Sequence, residues 1–221
     1  MKILLINAKR PDEFANVPHI RELIQLCHIS NALDYMTRQT IQTYADDGST
    51  ASKRNTAYAL MFVSSLIYEG MSTASSLLKK MAEIMPEFIR PEVAWIITEA
   101  ESSSSFCNTV LGRIRNQVAF HFGDGLIRQP LELKIPHFPP VLAEAQHEDG
   151  IDLVFTLPAD IFTGYLASFG DQSKSSEQQI QEVVGQIANY SARLLRVIHN
   201  AILAITSEDS SDYTIEEGNT A

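Results

Sequence analysis

The sequence predicts an all-α fold, a bundle of long antiparallel helices, on three observations. Apolar residues recur at the three- and four-residue spacing of helix faces over long stretches. The 10 Gly and 9 Pro gather in a few places and leave long runs without a breaker. A composition that is 45% hydrophobic in 221 residues is enough to fill one large core. Long helices joined by short turns make a bundle, and no internal repeat is visible.

The domain reading takes 1–17 as an N-terminal extension, 18–206 as a single helical domain and 207–221 as an acidic tail. The first helix is expected from Pro18 to Tyr44, with Pro18 in its first turn and Ile20, Leu23, Ile24, Cys27 and Leu33 along its apolar face. The run from Asp46 to Ser52 reads as a turn and a new helix cap. A second helix follows through Leu60, Met61, Ser64, Ile67 and Met71 to Leu78, Met81 and Ile84, with Gly70 as a place to bend. Met85-Pro86 ends it, because the residue before a proline is pushed out of the helical region. A third helix begins near Pro91, with Val93, Trp95 and Ile96, and either runs on or breaks at Ser102–Ser105. That serine run reads as a hinge or cap; it lacks the glycine framing of a nucleophile elbow.

The next helix, 105–122, is closed by Gly123-Asp-Gly125. An irregular proline-rich excursion then covers 123–157, with a short helix expected at Val141–His147 and a short strand at Ile151–Thr156. Strand is expected only within 131–156, where helical periodicity vanishes. A short helix from Pro158 to Phe169 and a turn at Gly170–Ser173 lead to the last helix, 173–206. Its stripe runs through Ile180, Val183, Val184, Ile187, Leu194, Leu195, Ile198, Ala201, Ile202 and Ile205. The tail carries Glu208, Asp209, Asp212, Glu216 and Glu217 without a base and is expected to be disordered.

A formal net charge of −10 opposes a broad nucleic-acid surface, so any RNA contact must be local. The N-terminal apolar run is too short for a signal peptide and no stretch reaches spanning length, so no membrane partner is expected. Cys27 and Cys107 form no ligand pattern, and a reducing, cytoplasmic setting is the simplest expectation.

Chemistry concentrates in Ile114-Arg-Asn-Gln-Val-Ala-Phe-His-Phe122. At about 100° per residue, Val110, Leu111, Ile114 and Val118 form one apolar stripe. His121 falls about 20° from Ile114 and Arg115 about 100° round, so the two bracket an apolar face. Taken singly, a His on such a face is ordinarily a satisfied core residue, a helix Arg an ion-pair partner, and Asn116 a surface residue.

Taken together, Arg115, Asn116 and His121 resemble the signature of the HEPN superfamily, an Arg followed by a polar residue and then a His after four to six residues. The run Phe120-His121-Phe122 resembles bacterial HEPN-like proteins of the abortive-infection kind. The resemblance covers the helical body, 18–205, with specificity in the motif segment. It implies a homodimer and a metal-independent endoribonuclease of a toxin or phage-defence system, with an antitoxin protein as a further partner. The 2′-hydroxyl of RNA would attack its own phosphate. His121 would serve as general acid or base, Arg115 would hold the phosphate, and Asn116 would orient a partner. No cofactor or metal is implied. The alternative is a catalytically silent helical dimerisation or binding module, since the family includes non-catalytic members.

Other residues carry less. Glu69 is a possible auxiliary group that could face the motif, though a solvated Glu is the simpler reading. His137 and His147, with Asp149 and Asp152, lie in the excursion without recognised ligand spacing. His19, His28 and His199 read as ordinary helix residues.

Overall fold

Helices form where the sequence keeps its period. The structure is a computed structural model that describes residues 2–6, 17–44, 50–116, 144–145, 153–154, 157–207 and 213–217. Its body is helical: α1 (Ile20–Tyr44), α2 (Thr50–Lys80), α3 (Arg90–Glu101), the motif helix α4, α5 (Leu157–Ala167) and α6 (Ser176–Ser207). In α4 the stretch Cys107–Leu111 is wound as a π-helix and Gly112–Ile114 as an α-helix.

The α2 helix lies at the centre, packed against α1, α3, α4, α5 and α6. Its sequence explains the position. Buried residues cover a wide arc of it, from Ala57, Leu60, Met61 and Val63 through Ile67, Met71 and Ala74 to Leu77 and Leu78, while Phe62, Glu69 and Ser76 lie exposed on the remaining side. An apolar arc wider than a single stripe lets one helix pack against several neighbours. Buried Ser64 and Ser65 bond back to the carbonyls of Leu60 and Met61, which satisfies their hydroxyls without a partner helix. Gly70 is no break, since the helix runs unbroken from Thr50 to Lys80. A Cβ there would lie 3.0 Å from Ile29 Cγ2, so Gly70 lets α1 approach closely.

On α1 the buried face is Ile20, Leu23, Leu26, Ser30 and Leu33. Ile24 and Cys27, expected on that face, are exposed. Apolar residues occur on two sides of this helix, and the seam with α6 decides between them. Thr37 and Ser191 share a hydrogen bond of 2.8 Å across it, and Ser30 and His199 one of 2.6 Å. Pro18 lies in a turn before the helix, and His19 adopts a left-handed φ of 57°.

The turn after α2 is two 3₁₀ segments, Ala82–Ile84 and Glu87–Ile89, joined through Met85-Pro86. Met81, Met85 and Ile89 are buried there, whereas Ile84, expected on the core stripe, is 43% exposed. The α6 stripe buries Val183, Ile187, Leu194, Ile198, Ala201 and Ile205, as its period requires. Each of the Val, Ile and Leu side chains, fully buried, contributes roughly 1.5–3 kcal/mol, and Ala201 about half that or less. The α6 start is a capping box: Gln178 N–H donates to Ser175 Oγ at 3.3 Å, and Ser175 N–H to Gln178 Oε1 at 3.1 Å. The sequence placed this start three residues early, at Ser173, which instead closes a turn on Asp171.

Two small strand pairs complete the description. β1 (Lys2–Ile6) pairs antiparallel with β4 (Tyr213–Glu217), Lys2 opposite Glu217 and Ile6 opposite Tyr213. Strand thus occurs outside 131–156, and part of the tail expected to be disordered is ordered in a ladder. The acidic average of the tail hid the local run Tyr213-Thr-Ile215, whose residue types favour strand. β2 (Glu144–Ala145) pairs with β3 (Leu153–Val154). The second falls where a strand was expected; the first replaces part of the helix expected at 141–147. The rest of the excursion lies outside the described residues. No helix among the described residues is long and apolar enough to cross a membrane.

Candidate functional site

The site begins at a serine. Ser105 Oγ accepts the Asn108 N–H at 3.1 Å and donates to the Glu99 carbonyl at 2.7 Å, so one hydroxyl caps α4 and ties it to the end of α3. Asn108 completes the joint. Its Nδ2 donates to the carbonyls of Ala100 at 3.1 Å and Ser102 at 2.9 Å, groups a helix end leaves without partners. The chain breaks between α3 and α4, and the serine run is a cap.

From this cap α4 enters the core. Gly112 N–H bonds back to the Cys107 carbonyl, the i→i+5 bond of a π turn. Cys107, Val110, Leu111 and Ile114 are all buried, which gives the stripe expected from the wheel for three of its four members, with Cys107 added. Val118 lies outside the described residues. Burial, then the Glu99 charge, pushes the Cys107 thiol up to about 12, which makes it a packing residue and not a nucleophile.

Gly112 fixes how α4 meets α2. A Cβ there would lie 2.9 Å from Tyr68 Cε2, so the ring occupies the space any other side chain needs. A lone glycine inside a helical pattern was the available signal. The next residue along α2 is Glu69, and it reaches the motif. Arg115 Nε donates to Glu69 Oε1 at 2.7 Å, and Arg115 Nη1 to Asn116 Oδ1 at 2.9 Å. The guanidinium is held on two edges, between side chains 46 residues apart and adjacent in sequence. The Arg115 side chain is 34% exposed and that of Glu69 50%. The contact weighed for Glu69 is therefore present. Arg113, two residues earlier, faces elsewhere: its charge acts on Tyr165 of α5, whose phenol burial pushes up and Arg113 pulls back.

His121 lies outside the described residues, as do His137, His147, Asp149 and Asp152. Of the remaining histidines, His28 and His199 are exposed on their helices, and His199 bonds Ser30. Among the described residues no group of three His, Cys, Asp or Glu could hold a metal ion.

A second polar cluster, not foreseen, joins α3 and α6. Tyr190 Oη donates to Glu99 Oε2 at 2.9 Å. Its ring packs against Phe106 and Trp95 at centroid distances of 4.8 and 5.7 Å, and the Arg193 guanidinium lies 4.0 Å over Trp95. Burial, then the Glu99 carboxylate, raises the Tyr190 phenol, so it stays a neutral donor. No family model matches the chain, and no curated protein or solved structure is detectably similar to it.

Proposed function

We propose that the chain is a HEPN-like, metal-independent endoribonuclease of a toxin or phage-defence system, working as a homodimer on RNA phosphate. The observation that carries this reading is the double anchoring of Arg115. A guanidinium held by Glu69 and Asn116, a third exposed, on a helix fixed by Gly112 and Ser105, is positioned before substrate arrives. Asn116, through its bond to the guanidinium, has the orienting part that the resemblance implies. His121 supplies the acid–base function in this proposal. The apolar face of α4 is already buried in its own bundle, with Leu111 and Ile114 at 0% exposure. A dimer through α4 therefore uses the flank that carries Arg115 and Asn116.

One observation favours the alternative, a silent binding module: the Arg115 charge is already matched by Glu69. Incubation with total RNA in chelator separates the two readings. Cleavage in EDTA that is lost in His121→Ala supports the ribonuclease. Absence of cleavage, or cleavage that needs a divalent metal, overturns it.

A further inference from the structure

Arg115 is the phosphate-holding group in the ribonuclease reading, yet its Nε is occupied by a carboxylate of its own chain. A phosphodiester and a carboxylate both seek the same guanidinium edge, and both cannot have it. We propose that Glu69 is an exchangeable stand-in for RNA phosphate: a phosphodiester of single-stranded RNA displaces the Glu69 carboxylate from Arg115 Nε. This rests on the ribonuclease reading of the site and adds how its substrate enters.

Three features carry the exchange. The pair is open to solvent, with side chains 34% and 50% exposed, and such pairs are held weakly. The backbone beneath it is fixed: the Tyr68 ring takes the space that a side chain at position 112 would need, and Ile67, Met71 and Ile114 are buried. Exchange is thus a rotation of the exposed Glu69 side chain, a fast event that leaves α2 and α4 in place. Asn116 meanwhile keeps Nη1, so the guanidinium plane stays oriented while Nε changes partner.

The exchange differs from simple positioning in the sign of one variant. Glu69→Gln keeps an oxygen acceptor for Arg115 Nε and removes the competing charge. If Glu69 is displaced by substrate, Glu69→Gln should bind RNA about 2–5-fold tighter, the factor an exposed ion pair is worth. Glu69→Ala should bind at least as tightly. If Glu69 only orients Arg115, Glu69→Gln should match the unaltered protein and Glu69→Ala should bind more weakly. The probe is a fluorescent single-stranded oligomer with 2′-O-methyl riboses, which cannot be cleaved, followed by anisotropy at fixed low salt. Thermal melts of each variant confirm folding, and both substitutions fall on an exposed side chain. Binding that is lost in Arg115→Ala but is not tightened in Glu69→Gln overturns the exchange and leaves the site standing. Binding undiminished in Arg115→Ala, or none in the unaltered protein, overturns both.

Discussion

Two glutamate–arginine neighbourhoods flank α4, and they differ in what surrounds the charges. At Arg115 the Glu69 carboxylate meets the guanidinium directly, and both are open to water. Near the start of the helix Glu99 accepts from Tyr190, and the Arg193 guanidinium lies over the Trp95 ring. The rings of Trp95, Phe106 and Tyr190 pack on one another there and hold the second cluster by contact as well as by hydrogen bonding. The first has a fixed backbone and side chains open to water. Residue types alone would rank the clusters equal; solvent access and ring packing make one a joint and the other a candidate for ligand exchange.

The largest expected effect tests the open pair. If the protein cleaves RNA, Arg115→Ala and His121→Ala should each lower the rate about 10²–10⁴-fold, with melting little changed. Single-turnover cleavage beside a thermal melt reads both, and an Arg115→Ala protein with full activity removes Arg115 from the chemistry. The closed cluster should behave in the opposite way. Trp95→Ala should cost about 2–3 kcal/mol of stability, less than a fully buried Trp because Trp95 is half-buried, and should leave oligomer binding at Arg115 intact. Urea unfolding measures the first and anisotropy the second; loss of binding without loss of stability would reverse the assignment of the two clusters.

Asn108→Ala takes three donor contacts from the end of α3 and should cost about 1–2 kcal/mol by the same urea titration. A neutral result would mean water replaces the amide there. Glu69→Ala should cost under about 1 kcal/mol, since it removes only an exposed pair. The thiols give the least perturbing comparison. Cys107, packed beside the closed cluster with its thiol raised to about 12, should resist a disulfide reagent at pH 8 until the chain unfolds. Cys27, exposed on α1 though raised by partial burial, should react first. Equal labelling rates in the native protein would show that the α3–α4 joint opens readily.

The helices were legible because their signals are local. The serine run marks a real boundary, whereas the helix expected to run to Met85-Pro86 ends at Lys80, and the α6 stripe keeps one period over its length. Ile24 and Cys27 were misplaced because a wheel shows which residues share a face, not which of two apolar faces finds a partner. The π turn at Cys107–Leu111 has no sequence signature: no residue there demands an i→i+5 bond, and tertiary packing selects it. Arg115 and Asn116 were found as neighbours in the sequence. Their link to Glu69 spans 46 residues and depends on Tyr68 fitting above Gly112, a contact that only the packed helices define. Glu99 and Tyr190 are 91 residues apart and were missed for the same reason.

The ladder between β1 and β4 has a kinetic consequence. Lys2 lies opposite Glu217, so the loop it closes contains every helix described above. In a free coil, closure of a loop of that length carries an entropy cost that grows as about (3/2)RT ln n, and contacts this distant in sequence form slowly. Folding of the helices described above shortens the remaining search, because it brings the segments on either side of the bundle near each other. The ladder should therefore form last and open first. Its amides, followed by hydrogen exchange, would report opening of the ladder well before the α2 core gives way.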